Sequence, residues 1–179
     1  MLNIEKIKTT MQKPRFVKMV GRYQFLMENL YRVNVSTHED FQRTYNCFFQ
    51  LRRNKEYRVK HFEFLEQNKG SKVIGFHEIL IFLSGIEGKV EASFASKMLS
   101  IINPNMPVLD SKVLEKLGIK KRVGSNINDV VMIYNKICEW YDGFYKTSEY
   151  HQWITLFDEM FPNSGISSAK KIDFILWQV

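Results

Sequence analysis

A lysine and an aspartate are the side chains of this sequence whose placement best suits covalent chemistry. Lys89 ends the glycine-containing stretch LSGIEGK at residues 83–89, and Asp110 follows 21 positions later. An unprotonated lysine is an amine nucleophile that can attack a carbonyl or sugar carbon. A fixed carboxylate beside it can assist proton transfer or stabilise positive charge on the reacting carbon. The pair therefore indicates nucleophilic chemistry at a carbonyl or sugar carbon.

The glycines around this lysine predict a tight hairpin. Gly85 and Gly88 can adopt backbone angles that other residues avoid. We expect them to join a helix over 76–83 to a second helix over 89–102, with Ile86 packed into the core between them. Outward-pointing N–H groups of Gly85, Ile86 and Gly88 would then form a phosphate site at the start of the second helix.

The two reactive side chains are expected at the beginnings of helices. Lys89 would lie in the first turn of its helix, where the dipole disfavours an ammonium and so favours the neutral amine. Asp110 is the predicted N-cap of a helix that ends at Leu117, and N–H bonds would keep it ionised. The alternatives are an exposed lysine and a plain N-cap. Lys97 and Lys112 are rivals for the amine, although Lys97 would lie two turns into its helix and lack the dipole effect.

The hydrophobic pattern predicts an all-α protein. Apolar residues recur at helical spacing along most of the chain, and no run alternates with the period of a strand. A length of 179 residues fits a single all-helical domain over 1–179, in one lobe or in two lobes with a cleft at about 76–118. Besides the segments above, the predicted helices cover about 16–31, 36–49, 52–68, 128–145, 149–161 and 168–178.

The charge of the chain favours an anionic partner. The net charge is +7, and the sequence pI is about 9.3. Lys120, Lys121 and Arg122 form a basic loop that could bind a DNA strand, with a solvated loop as the alternative.

Metal, cofactor and membrane roles are not expected. The two cysteines, Cys47 and Cys138, are too few for a four-cysteine cluster, and the histidines lack metal-ligand spacing. The sequence predicts no metal and no cofactor. It contains no apolar run long enough for a membrane span and no apolar leader near residue 1. We expect a cytoplasmic protein without a membrane partner.

Residues 83–89 resemble the hairpin of the helix-hairpin-helix DNA glycosylase superfamily, which includes enzymes like endonuclease III and 8-oxoguanine glycosylase. The family pattern is commonly written L-P-G-V-G-x-K, and residues 107–113 (PVLDSKV) with 117–118 resemble its V-D-x-x-V segment. The resemblance covers roughly 76–118. It implies a glycosylase-like helical fold and double-stranded DNA as partner. Residues 90–99 and 171–177 are also similar to small bacterial proteins of unassigned function, which implies no chemistry.

By this resemblance, Lys89 forms a Schiff base with the sugar, and Asp110 activates the nucleophile and stabilises the oxocarbenium. Trp140, Tyr141 and Trp153 could stack a flipped base, with core packing as the alternative. The expected function is DNA base-excision repair by a glycosylase, with or without lyase activity at abasic (AP) sites. Glu87 stands where the family usually has a second glycine. The alternatives are therefore a non-catalytic helix-hairpin-helix DNA-binding protein and a helical interaction protein without a nucleic-acid role.

Overall fold

The computed structural model describes residues 2–120 and 126–178. Within this part of the chain every regular element is an α-helix, so the predicted all-α class is confirmed. The helices are α1 (Ile4–Met11), α2 (Pro14–Asn29), α3 (Glu39–Phe49), α4 (Lys55–Asn68), α5 (Phe76–Glu87), α6 (Ala92–Ile102), α7 (Ser111–Lys116), α8 (Ile127–Phe144), α9 (Ser148–Met160) and α10 (Ser168–Gln178).

Local capping explains why several helix ends were predictable. Asp110 caps α7 by accepting the N–H of Lys112 at 3.1 Å, as expected for an N-cap aspartate. Gly118 follows α7 with a φ of 65°, a left-handed conformation that glycine adopts without strain. The helix α1, by contrast, was not predicted from the sequence, because its apolar pattern is short.

The predicted position of the hairpin turn is wrong. Helix α5 continues through Gly85 and Ile86 to Glu87, and only Gly88 leaves it, with a φ of 69°. The turn therefore spans 88–91, and Lys89 precedes the first residue of α6 instead of lying in its first turn. Continuing the helix keeps the amide groups of Gly85 and Ile86 within the helical hydrogen-bond pattern and lets Ile86 pack against the core.

Helix α10 runs through the centre of the protein. Its residues from Ala169 to Leu176 are all buried, which includes Lys170 and Asp173. Aromatic rings of other helices surround it: Phe16, Tyr23 and Phe48 all lie within 6.1 Å of the Phe174 ring, measured between centroids. The helix contacts α1, α7 and α9 as well. Through its contact with α7 and a hydrogen bond to α6, the helix helps to position Asp110 and Lys97.

The described residues contain neither a helix that could span a membrane nor a group of three or more potential metal ligands. None of their helices combines the length and the apolar composition that a membrane span requires. Over the same ranges, no three or more His, Cys, Asp or Glu side chains are grouped so that they could hold a metal ion.

A buried histidine should make stability sensitive to acid. His61 is fully buried with Nε2 3.1 Å from the Tyr45 hydroxyl, and burial lowers its pKa from 6.5 to about 3. The unfolded chain binds a proton near pH 6.5 and the folded chain does not. The free energy of unfolding is therefore unaffected by protonation of His61 above pH 6.5, and it decreases progressively as the pH falls from 6.5 toward 3. The slope approaches about 1.4 kcal/mol of unfolding free energy per pH unit.

Urea unfolding measured from pH 7.5 to pH 4 checks this expectation. The variant His61→Phe should lose less stability on acidification than the wild type does. The matched control is His77→Phe, because His77 is exposed on α5. Equal acid slopes for the wild type and His61→Phe would contradict a proton-free buried imidazole.

Candidate active site

Asp110 pairs with Lys97, a lysine in the middle of α6. The Lys97 Nζ lies 3.5 Å from the Asp110 Oδ2, and the two side chains are 10% and 23% exposed. The same ammonium donates a hydrogen bond to the Phe49 carbonyl at 3.3 Å. Aromatic rings surround it further, with the Phe94 centroid at 5.4 Å and the Trp177 centroid at 6.0 Å. The lysine is thus enclosed by a carboxylate, a carbonyl and apolar rings.

The chain before α7 is tied to α6, and this tie brings the two side chains together. The hydroxyl of Ser96, the neighbour of Lys97, accepts the N–H of Leu109 at 2.9 Å. Two residues earlier in the same loop, the Pro107 carbonyl accepts a hydrogen bond from the Tyr134 hydroxyl of α8 at 3.0 Å. Because Asp110 directly follows Leu109, these bonds fix its carboxylate beside α6.

Burial changes the acid–base behaviour of Lys97. Desolvation lowers the pKa of its ammonium below 10.5, and the charge of Lys170 lowers it further. The Asp110 carboxylate acts in the opposite direction through its charge and hydrogen bonding, but burial is the largest cause. The side chain of Lys97 therefore loses its proton at a lower pH than a lysine with the ordinary pKa does.

The pair lies in a basic cleft of about 390 Å³. Aromatic side chains form part of its wall, and Arg15, Arg22 and Lys112 add positive charge. Among the described residues that line it, Asp110 is the sole acidic side chain. The remaining lining consists of Met19, Cys47, Phe48, Phe49, Gln50, Phe94, Ser111, Trp177 and Gln178. Such a cleft suits an anionic ligand that has a planar, apolar part.

Lys89 lies in a different cluster of charges. Its Nζ is 2.8 Å from the Glu87 carboxylate and 3.9 Å from that of Glu91, and its side chain is 56% exposed. Arg53 also pairs with Glu91, at 2.9 Å. Lys89 is not among the residues that line the cleft of Asp110. The structure therefore brings together Asp110 and Lys97, and leaves Lys89 in ion pairs at the turn.

The turn itself offers little to a phosphate. The N–H of Glu91 is already bonded to the Ser84 hydroxyl at 3.1 Å, and the carboxylates of Glu87 and Glu91 lie beside the turn. Of the other residues predicted to bind phosphate, Lys120 is exposed, whereas Lys121 and Arg122 lie outside the described residues.

The aromatic residues predicted for base stacking do not line this cleft. Tyr141 is buried, and its hydroxyl donates to Asp173 at 2.6 Å. Trp153 and the half-buried Trp140 both pack against Phe144, with centroids 4.9 and 4.7 Å away. These residues belong to core packing around α8 and α9. The rings beside Lys97 are instead those of Phe94 and Trp177.

One sequence signal could have identified Lys97. It is the single charged residue of α6, a helix in which most residues are buried. A charged side chain in such a helix must find a partner or lose its charge, which marks it as a candidate for function.

Comparisons of the chain with protein-family models, curated protein sequences and solved structures find no match. A function must therefore be inferred from the side chains of the cleft. An enclosed amine beside a carboxylate can form a covalent bond to an electrophilic carbon and pass its proton to the carboxylate.

Removing the charge of Asp110 should make Lys97 more reactive toward a small aldehyde. Because Asp110 raises the pKa of Lys97, Asp110→Asn should lower this pKa and enlarge the neutral fraction. We expect imine formation with pyridoxal 5′-phosphate at pH 7 to be about threefold faster or more. Borohydride reduction and peptide mass spectrometry would quantify the label at Lys97. Asp142→Asn, an exposed carboxylate on α8, is the control; a slower rate in Asp110→Asn alone would contradict the assigned electrostatics.

Proposed function

We propose that the protein is a DNA base-excision glycosylase with lyase activity, in which Lys97 supplies the amine and Asp110 the carboxylate. The observation that carries this proposal is the contact between these side chains inside a basic cleft with aromatic walls. The resemblance to helix-hairpin-helix glycosylases supports the same reaction. It assigned the amine to Lys89, whereas the geometry favours Lys97.

The proposed reaction uses the neutral amine as nucleophile. The Lys97 nitrogen bonds to the sugar C1′ while the bond from C1′ to the base breaks, and the base leaves with the electron pair. Asp110 accepts the proton that the nitrogen loses, and the base takes a proton from solvent. Asp110 then returns this proton to the ring oxygen, which leaves C1′ as a hydroxyl group and gives a protonated imine. A C2′ proton passes to solvent, the 3′ phosphate leaves with the electron pair of its bond to C3′, and water hydrolyses the imine to release the sugar fragment and the amine.

The walls of the cleft suit a nucleotide. The Phe94 and Trp177 rings near Lys97 could stack a base that has left the duplex. Arg15 and Arg22 are seven residues apart on α2 and line the same cleft, so together they could contact successive parts of a phosphate backbone. Lys112 adds a cation from α7.

Binding of DNA through the hairpin alone is the less favoured alternative. A phosphate at the turn would meet the carboxylates of Glu87 and Glu91, and the N–H of Glu91 is already bonded within the chain. A helical interaction protein without a nucleic-acid role would leave the converging cations of the cleft without a function.

Borohydride trapping on a duplex that contains an abasic site tests the assignment of the amine. We expect the wild type and Lys89→Gln to be trapped on the DNA, and Lys97→Gln not to be, because Lys97 lies in the cleft and pairs with Asp110, whereas Lys89 does not. Asp110→Asn should reduce base release from a damaged duplex by about 100-fold or more.

Two controls make the trapping experiment decisive. Circular dichroism must show that Lys97→Gln is folded, and a duplex with a reduced, non-aldehyde abasic site must not be trapped. Trapping of Lys97→Gln at the wild-type level would remove Lys97 from the mechanism. Loss of trapping in Lys89→Gln would restore the assignment that the family resemblance implies.

The cations on α2 should determine how salt affects DNA binding. For each phosphate contact that Arg15→Gln or Arg22→Gln removes, the slope of log affinity against log salt should become smaller by about one. Lys18→Gln is the matched control, because Lys18 is an exposed cation on the same helix that does not line the cleft. Fluorescence anisotropy at several salt concentrations would measure the slopes. Equal slopes for all variants would contradict strand binding at this cleft.

A further inference from the structure

A second lysine–aspartate pair lies directly behind the cleft. Lys170 and Asp173 are on α10, both side chains are 0% exposed, and the Nζ–Oδ2 distance is 2.8 Å. The Lys170 Nζ is also 6.0 Å from the centroid of the Trp177 ring, whose other neighbour is the Lys97 ammonium at 6.0 Å. Both ammonium groups are therefore close to the same indole ring.

Lys170 is connected to the backbone that carries Lys97. Its Nζ donates a hydrogen bond to the Ser100 hydroxyl at 3.1 Å. That hydroxyl donates in turn to the Lys97 carbonyl at 2.9 Å. The chain of hydrogen bonds fixes the turn of α6 from which the Lys97 side chain extends.

Asp173 is connected to the loop that carries Asp110. Its Oδ1 accepts the N–H of Val108 at 3.3 Å and the Tyr141 hydroxyl at 2.6 Å. Val108 is two residues before Asp110, and its side chain is fully buried. The buried pair therefore holds both of the segments that meet in the cleft.

Stability alone is a weak reason for a protein to keep such a pair. Removing two charges from water costs several kcal/mol per ion, and apolar replacements of buried ion pairs are often neutral or stabilising. The contacts of Lys170 and Asp173 with the two segments of the cleft offer a specific reason instead.

We propose that Lys170 and Asp173 are positioning residues, which hold the Lys97 amine and the Asp110 carboxylate in contact and keep a fixed positive charge behind the amine. This inference rests on the proposed function for its catalytic meaning. The hydrogen bonds that position the two side chains lie within the protein and do not depend on DNA.

Several charged groups act on Lys97, and the pair is distinguished from them by its burial. Asp110 pairs with it from the loop before α7, Arg53 shares the Phe94 ring with it, and other cations line the cleft. These cations are Arg15, Arg22 and Lys112. Water screens charges at the rim of a cleft, whereas it cannot screen the enclosed Lys170.

The test is the double variant Lys170→Met/Asp173→Asn. It removes both charges together, so that neither remains buried alone, and the amide oxygen of the substituted side chain can still accept from Val108 and Tyr141. The matched control is Lys171→Met/Asp158→Asn, which removes the adjacent ion pair of α10. Lys171 and Asp158 do not line the cleft.

The readout is the pH profile of pyridoxal 5′-phosphate imine formation at Lys97, measured by borohydride reduction and peptide mass spectrometry. Loss of the Lys170 charge should move the profile to higher pH and slow the reaction at pH 7 by about threefold or more. The control should keep the wild-type profile. Thermal unfolding of each variant would show whether the fold is retained.

The outcomes separate this inference from the proposed function. A double variant that is folded and has the wild-type profile would overturn the positioning role, whatever the protein does to DNA. A shifted profile together with a wild type that is never trapped on abasic DNA would support the positioning and contradict the glycosylase. If the double variant does not fold, Ser100→Ala is measured in its place, because it removes the hydroxyl that joins Lys170 to the Lys97 carbonyl. We expect a changed profile in this variant, and a folded Ser100→Ala with the wild-type profile would overturn the inference.

Discussion

The enclosed ion pair between Lys170 and Asp173 constrains the arrangement of the helices around it. Both side chains are completely buried, and their hydrogen bonds reach α6, α8 and the loop before α7. Removing one partner of a buried pair typically costs about 3–5 kcal/mol, because the other charge is left without compensation. The surrounding segments must therefore take up their positions together, and this brings Lys97 to Asp110.

The charges near α10 also explain why the cleft is not neutral. Lys170 is paired with Asp173, so the pair as a whole adds no net charge, although its Lys170 end is the one that lowers the pKa of Lys97. The cleft above it has several cations and Asp110 alone as a described acidic lining residue, which leaves a positive field. A polyanion could supply the missing negative charge. Aromatic walls beside this field distinguish the cleft from an ordinary basic surface.

The sequence predicted the features that depend on local physics. Asp110 as an N-cap and Gly118 as a helix terminator follow from hydrogen bonding and backbone conformation within a few residues. The bounds of α9 and α10 also agree with their apolar periodicity to within about a residue. The prediction that both glycines before Lys89 form the turn is wrong, because the ability of glycine to adopt a positive φ does not force it to leave a helix. Gly85 stays helical, and Gly88 alone has the positive φ.

The pairing of Asp110 could not be predicted in the same way, because it depends on which face of α6 packs toward α10. The prediction that Lys89 is the amine nucleophile depends on the helix dipole, an effect of about 0.3–1 kcal/mol near an exposed helix end. Burial of a lysine can change the free energy of its ionisation by several times that amount. Lys97 is enclosed, and desolvation lowers the pKa of its ammonium. Lys89 is 56% exposed and lies between carboxylates. For a lysine nucleophile, a position inside an apolar helix is thus a stronger sequence signal than a position at a helix start.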